Sequence, residues 1–73
     1  MTDLSAAETA AALDRFRARR DVAARRLEMI AQGATLSYED GTPVDMASET
    51  RRQEKILADM DRRIARLEAA QKP

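Results

Sequence analysis

Residues 33–46 place the strongest constraint on the fold, because they interrupt what would otherwise be one long, charged, alanine-rich helix. The helical spacing of apolar residues stops at Gly33, and apolar and polar residues then alternate around an Asp40-Gly41 turn. A helical spacing returns after Met46 and continues towards the C-terminus. The pattern predicts an α+β fold, in which two antiparallel α-helices are connected by a short β-hairpin. We expect a single domain over residues 1–73, with helices at about 5–32 and 48–71 and the hairpin at about 34–46.

The first predicted helix has a defined start, a defined end and one apolar stripe. Ser5 followed by Glu8 forms a capping box, with Thr2 as an alternative cap. Gly33 ends the helix, because glycine readily takes the left-handed backbone conformation that follows a helix C-terminus. Arg20 falls inside the stripe and must extend to solvent or find a carboxylate. The stripe consists of Leu13, Phe16, Ala23, Ala24, Leu27, Ile30 and Ala31.

The second helix is predicted to begin between Asp45 and Thr50, with Ser48 or Thr50 as its cap. Its first turns, as far as Lys55, carry no apolar residue, so they are exposed or bound to an anionic surface. A short connection makes the two helices antiparallel neighbours, and we expect their apolar stripes to face each other. The second stripe consists of Leu57, Met60, Ile64 and Leu67, with Ile56 beside them.

The alternation in the connecting segment predicts a particular strand register. A two-residue Asp40-Gly41 loop would place Ser37 opposite Val44 and put the apolar faces out of phase. A loop that is longer by one residue, or a bulge, places Tyr38 opposite Val44 and Leu36 opposite Met46, and we predict this second register. Because a two-stranded ribbon is not stable alone in water, its apolar face is expected to pack on the helices.

Composition excludes most catalytic chemistry. The chain has no Cys and no His, so zinc and copper sites with soft ligands and nucleophiles activated by His or Cys are ruled out. The acidic cluster Glu39, Asp40 and Asp45 lacks the spacing of a calcium loop and is explained by turn solubility. We therefore predict no enzymatic activity, no cofactor and no metal. No apolar run approaches the ~20 residues of a membrane span, and the acidic N-terminus lacks the basic segment of a secretory signal, so synthesis in the cytoplasm is expected.

Charge is balanced over the whole chain but segregated along it. The 13 basic and 13 acidic residues give a net charge of zero, which argues against coating nucleic acid through bulk charge. Acidic residues dominate positions 27–49, whereas basic residues dominate positions 14–26 and 50–73. This distribution indicates docking between copies or a polarised contact surface. Two solvated helices joined by an acidic turn are the alternative interpretation.

One face of the first helix is a candidate partner-binding surface. At 100° per residue, its members lie within about 80° of each other. A monomer has no reason to expose Val22 and Met29 between arginines, and both Arg and Met are enriched at interfaces. Scattered apolar surface residues are also common, which is the alternative explanation. The face consists of Arg15, Arg19, Val22, Arg26 and Met29, and we add Arg51 and Arg52 from the start of the second helix.

Several short segments between residues 26 and 68 resemble the phage head–tail joining protein W family. They are Leu36-Ser-Tyr38, Asp40-Gly41, Val44-Asp-Met46 and Ile64-Ala-Arg-Leu-Glu68, in the order helix, hairpin, helix. Two features depart from that family's best-known member: the first helix is longer and richer in Arg, and the C-terminus is polar rather than apolar.

The resemblance implies a structural head–tail connector, an adaptor or head-completion protein at the neck of a tailed phage or phage-like particle. Such a protein forms a homo-oligomeric ring, a dodecamer with the symmetry of the portal, which extends the DNA channel. Its implied partners are the portal protein, a neck or stopper protein and, nonspecifically, the packaged DNA. It would therefore be located in the virion.

Two alternatives remain open. One is a small cytoplasmic helical-hairpin module for dimerisation or regulation, in which residues 33–46 form a plain loop. The other is a scaffold or packaging accessory that leaves the particle.

Overall fold

Two long antiparallel helices make up nearly all of the computed structural model, which describes residues 4–71. Helix α1 spans Ala6–Ala31 and helix α2 spans Met46–Gln71. The molecule measures 50 × 22 × 17 Å and has a radius of gyration of 16.0 Å, whereas a compact chain of this length would have a radius of about 11 Å. The two-helix molecule is therefore rod-shaped. In the part of the chain that the structure describes, neither helix is apolar over enough residues to cross a bilayer.

Helix α1 begins and ends as the sequence predicts. The Glu8 amide donates to Ser5 Oγ at 3.1 Å, and the Ser5 amide donates to Glu8 Oε1 at 3.3 Å, which completes the capping box. The alternative cap, Thr2, lies outside the described residues. At the other end, Gly33 has a φ of 98°. The Ala34 amide donates to the Met29 carbonyl at 3.0 Å, and the Gly33 amide donates to the Ile30 carbonyl at 3.0 Å. This pair of bonds is a Schellman motif.

Helix α2 begins at Met46, inside the range from Asp45 to Thr50 that was predicted for its start, and its N-cap is Asp45. The Asp45 carboxylate accepts a hydrogen bond from the Ala47 amide at 3.1 Å and one from Ser48 Oγ at 2.7 Å. The prediction of Ser48 or Thr50 as the cap was therefore wrong. Thr50 lies one turn inside the helix, where its hydroxyl donates to the Met46 carbonyl at 2.8 Å. Asp is as favourable as Ser at a helix N-cap and more favourable than Thr. Asp45 comes before Ser48 and Thr50 in the chain, so the helix starts there.

The predicted α+β fold is wrong, because residues 4–71 contain no β-sheet. The connection between the helices forms one isolated antiparallel bridge, between Ser37 and Pro43. The Tyr38 amide donates to the Thr42 carbonyl at 2.8 Å, and the Val44 amide donates to the Leu36 carbonyl at 2.9 Å. The ladder stops there because α2 begins two residues after Val44. The chain is a helical hairpin with a short structured loop.

The predicted register was also wrong, by two residues. The turn at the tip of the connecting loop does contain three residues, but they are Glu39, Asp40 and Gly41. Tyr38 therefore lies opposite Thr42, and Leu36 lies opposite Val44. The Gly41 amide donates to the Tyr38 carbonyl at 2.9 Å, and Gly41 has a φ of 89°. These features are typical of a tight turn closed by a glycine bulge.

The loop packs only part of its apolar face on the helices, contrary to expectation. Leu36 is 51% exposed and Tyr38 is 60% exposed, whereas Val44 and Met46 are half-buried. Two bridging hydrogen bonds and a tight turn hold the loop in shape without that packing. The loop therefore presents two large apolar side chains to solvent at the end of the rod.

The core is thin and lies along the helix–helix contact. Ala24 and Ala31, which were predicted to belong to the apolar stripe, are exposed, while Thr9 and Gln53 are buried with the core. Arg20 lies at the edge of the contact and finds a carboxylate on α2, that of Asp61. The buried apolar residues are Ala12, Leu13, Ala23, Met60 and Ile64. Half-buried residues on either side of them are Phe16, Leu27, Ile30, Ile56, Leu57 and Leu67.

Candidate protein-interaction surface

A cleft of about 380 Å³ runs between the two helices on one side of the rod, and we call it the basic groove. Its apolar floor includes Val22, which is 48% exposed, and Ile56, which is half-buried. Its rim carries guanidinium groups from both helices. The groove is lined by Ala18, Arg19, Val22, Ala23, Arg26, Arg52, Gln53 and Ile56.

The three arginines of the basic groove carry charge that the described part of the chain does not neutralise. None of the ion pairs within residues 4–71 involves Arg19, Arg26 or Arg52. All three residues are exposed. Because like charges held close together raise each other's energy, this rim favours the approach of an anionic group.

The opposite side of the rod differs, because its charges are paired across the helices. A larger cleft, of about 530 Å³, lies there, but Arg17 Nη2 contacts Glu68 Oε2 at 2.9 Å and Arg20 Nε contacts Asp61 Oδ1 at 2.6 Å inside it. Arg20 also reaches Asp21 Oδ1 at 3.5 Å. This larger cleft already holds its own counter-charges, so the smaller basic groove is the better candidate for binding.

A buried polar side chain lies in the wall of the basic groove. Gln53 is 0% exposed, and its Nε2 donates to Glu49 Oε1 at 2.8 Å. Its Oε1 is buried and has no hydrogen-bond partner among the described residues. A buried acceptor without a donor costs free energy. Because this atom is fully buried, the unpaired acceptor is a destabilising feature of the helix contact beneath the groove rather than a group on the groove surface.

A second, smaller cleft adjoins the basic groove at the loop end of the rod, and we call it the apolar notch. Its volume is about 230 Å³, and Arg26 contributes to both clefts. Met29 and Leu36 are each 51% exposed beside it. The notch is lined by Arg26, Met29, Ile30, Ala34, Leu36, Met46 and Glu49. Together the two clefts form one surface with an apolar floor and a basic rim.

The structure brings most of the predicted partner-binding residues to this surface. Arg19, Val22 and Arg26 line the basic groove from α1, Arg52 lines it from α2, and Met29 lines the apolar notch. Two residues lie elsewhere. Arg15 is exposed on the same face of α1, one turn before Arg19, but it does not line either cleft. Arg51 Nη2 donates to Ser48 Oγ at 3.1 Å and so supports the start of α2.

Sequence reasoning missed Gln53, although a signal was present. The first turns of α2 were interpreted as having no inward-facing residue, since no apolar residue occurs between Ser48 and Lys55. Gln53 lies seven residues before Met60, however, and seven residues return a helix to nearly the same face. Heptad spacing from Met60 and Leu67 would have placed this side chain in the helix contact.

The connecting loop is acidic and holds its charge through local hydrogen bonds. The hydroxyl of Thr42, and then its amide at 3.0 Å, donate to Asp40 Oδ1 and lower the pKa of that carboxyl. The hydroxyl of Ser48 and the amide of Ala47 lower the pKa of Asp45 in the same way. Within residues 4–71 no group of three or more acidic side chains is arranged to hold a metal ion. The loop is thus a negatively charged protein surface.

Comparison of the chain with protein-family models, with curated proteins and with solved structures gives no match. The function proposed for this protein therefore rests on its own residues and their geometry.

Proposed function

We propose that this protein is a structural interaction module, a helical hairpin that binds another polypeptide through the basic groove and the apolar notch. One observation carries the proposal. The two sides of the rod differ in ion pairing. On one side Arg17 and Arg20 are neutralised by carboxylates. On the other side Arg19, Arg26 and Arg52 surround an apolar floor without a counter-charge.

The thin core supports the same conclusion. Only five apolar residues are buried among residues 4–71, and a chain of this size has difficulty reaching more than about 3–5 kcal/mol of stability from a single core. Val22, Met29 and Leu36 meanwhile remain about half exposed beside the two clefts. A partner that covers these side chains would bury apolar surface that the hairpin alone leaves in water, and this gain favours binding.

Site-specific photo-crosslinking tests the proposal. A photoreactive amino acid is placed at Val22, in the basic groove, within the full chain expressed in its native host. The matched control is the same amino acid at Ala65, an exposed residue that lines the ion-paired cleft on the opposite side. We expect crosslinked protein products at Val22 and few or none at Ala65. Equal yields at the two positions, or no product at Val22, would overturn the proposed function.

The head–tail connector implied by the resemblance is a more specific form of this proposal. It names the portal and a neck protein as the bound polypeptides, with packaged DNA nearby. The segments that carry it are placed in the loop and in α2, but the two-stranded hairpin that it implies is absent from the described residues. Its test is mass spectrometry of purified particles: a connector is retained in mature virions in a fixed ratio to the portal, and a chain missing from them has another role.

A further inference from the structure

We propose that the basic groove binds the acidic connecting loop of a second copy of this chain, so that copies associate head to tail. The loop comprises residues 36–45. This inference rests on the proposed function, since it names the polypeptide that occupies the same surface.

Charge complementarity is the first argument. Residues 27–50 contain no Lys or Arg, and Glu39, Asp40 and Asp45 lie within the loop. The groove carries Arg19 and Arg26 from α1 and Arg52 from α2, none of them in an ion pair within the described chain. A loop with only negative charges and a groove with only positive charges attract each other, and such complementarity fixes which surfaces meet.

The apolar and polar groups of the two surfaces also match. Leu36 and Tyr38 are the exposed apolar side chains of the loop, and the groove offers Val22 and Ile56 as an apolar floor. Tyr and Arg are the side chains that most often carry binding energy at protein interfaces. The phenolic oxygen of Tyr38 is also an acceptor, to which an exposed guanidinium group of the groove rim can donate.

Charge repulsion disfavours the simplest alternative, in which two copies pair groove to groove. A two-fold dimer would place the same surface of each copy against itself and bring six uncompensated guanidinium groups together. Loop and groove are instead two different surfaces, one at the end of the 50 Å rod and one on its side. Such contacts either close reciprocally within one pair of copies or leave one loop and one groove free, and the second case generates rings or open chains.

The contact made by a single loop is small, which determines how it must be measured. Interfaces below about 1,200 Å² are those of weak or transient complexes, and exposed charges lose most of their attraction at high salt. In sedimentation experiments at low ionic strength, the average mass of the wild-type protein should rise with concentration. It should return to the monomer value at about 0.5 M salt, where the Debye length is only a few ångströms.

A mixing experiment with two variants tests whether the loop of one copy meets the groove of another, and growth of the wild type beyond the dimer separates head-to-tail association from a reciprocal pair. The groove variant is Arg19→Glu with Arg26→Glu, and the loop variant is Tyr38→Ala with Glu39→Lys. All four side chains are exposed, and Asp40 is left intact because it holds the turn. Each variant alone should stay monomeric. An equimolar mixture should give a 1:1 dimer that does not grow, since the loop of one variant meets the groove of the other.

The control variant has the same change in charge as the groove variant, at sites outside the groove and the loop. It carries Arg25→Glu with Arg66→Glu, two exposed residues that line neither the groove nor the notch, and it should assemble as the wild type does. Circular dichroism checks that each variant keeps its helices. A mixture that stays monomeric, or a wild-type chain that stays monomeric at low salt, would overturn the head-to-tail inference. If Val22 still crosslinks to a different protein in that case, the proposed function stands and only the identity of the bound chain is wrong.

Discussion

The Nε atom of Arg20 donates to Oδ1 of Asp61 at 2.6 Å and joins α1 to α2 on the side opposite the basic groove. Both side chains remain about half exposed, so solvent screens the pair. Arg20 occupies a position in the apolar stripe of α1, and this contact supplies it with a counter-charge from the facing helix. Together with the pair of Arg17 and Glu68, this contact neutralises arginines on one side of the rod, whereas the arginines of the basic groove form no ion pair within residues 4–71.

A double-mutant cycle on this pair should give a small coupling energy. Arg20→Ala, Asp61→Ala and the double variant are compared by urea denaturation, and the expected coupling is about 0.2–1 kcal/mol, the range for exposed ion pairs. The coupling should fall as salt is raised. A coupling well above this range would show that the pair is more strongly desolvated than its exposure indicates.

Leu13→Ala should nearly abolish folding, because Leu13 is among the most deeply buried side chains of a very thin core. Burial of this kind predicts a loss of about 2–5 kcal/mol, which is comparable to the whole stability of a domain of this size. Leu36→Ala is the matched control, since it removes the same atoms from an exposed position and should change stability little. Thermal unfolding followed by circular dichroism measures both, and similar losses would contradict the burial difference.

Gln53→Met should leave the free energy of unfolding unchanged or raise it by up to about 1 kcal/mol. Methionine has a similar volume and removes the buried acceptor that lacks a partner, although it also removes the hydrogen bond to Glu49. Gln53→Ala should destabilise, since it leaves a cavity between the helices. Chemical denaturation compares the three chains. A clear loss in the Met variant would mean that Gln53 Oε1 is satisfied in solution.

Asp45→Ala should lower the thermal midpoint of unfolding at pH 7, and the difference from the wild type should vanish in acid. The Ser48 hydroxyl and the Ala47 amide hold the pKa of Asp45 below its usual value. A lowered folded-state pKa gives a contribution that is present above the unfolded value of about 3.9 and disappears as the pH falls through the folded value. Asp45→Asn keeps a capping oxygen without the charge, so its difference from Asp45→Ala should not vary with pH. Melting curves between pH 2 and pH 7 test the sign.

Gly33→Ala should destabilise the protein by about 1 kcal/mol, through the backbone alone. Gly33 has a φ of 98°, and a methyl group added there would meet no atom within 4 Å. Asn tolerates the left-handed conformation better than Ala, so Gly33→Asn should lose less. Equal losses for Ala and Asn by chemical denaturation would indicate that a steric contact, rather than backbone conformation, is responsible.

Features that depend on neighbouring residues were predictable from the sequence. The capping box at Ser5 and Glu8 and the glycine C-terminus at Gly33 are both local, because every hydrogen bond in them spans at most five residues. The basic face of α1 was also predictable, since the angular positions of Arg19, Val22 and Arg26 follow from helix geometry alone.

The loop was mispredicted because alternation is a weak signal over a few residues. Leu36, Tyr38 and Val44 alternate as a strand would, but strand formation needs a partner surface and a run of backbone donors. The capping preference of Asp45 starts α2 too early to leave room for a second strand. At Asp45, the chain could either start a helix or continue a strand, and the helix start prevailed.

The sequence by itself determined two long helices, their stripes, and an Arg/Val/Met face, because helix periodicity and capping act over a few residues. Only the tertiary structure decided how charges combine across the helices. The antiparallel register pairs Arg17 and Arg20 with carboxylates of α2 and places Arg52 beside Arg19 and Arg26 instead. It also buries Gln53 without a second partner. The two ion pairs join residues 41 and 51 positions apart, so they depend on the angle and the register at which the helices pack.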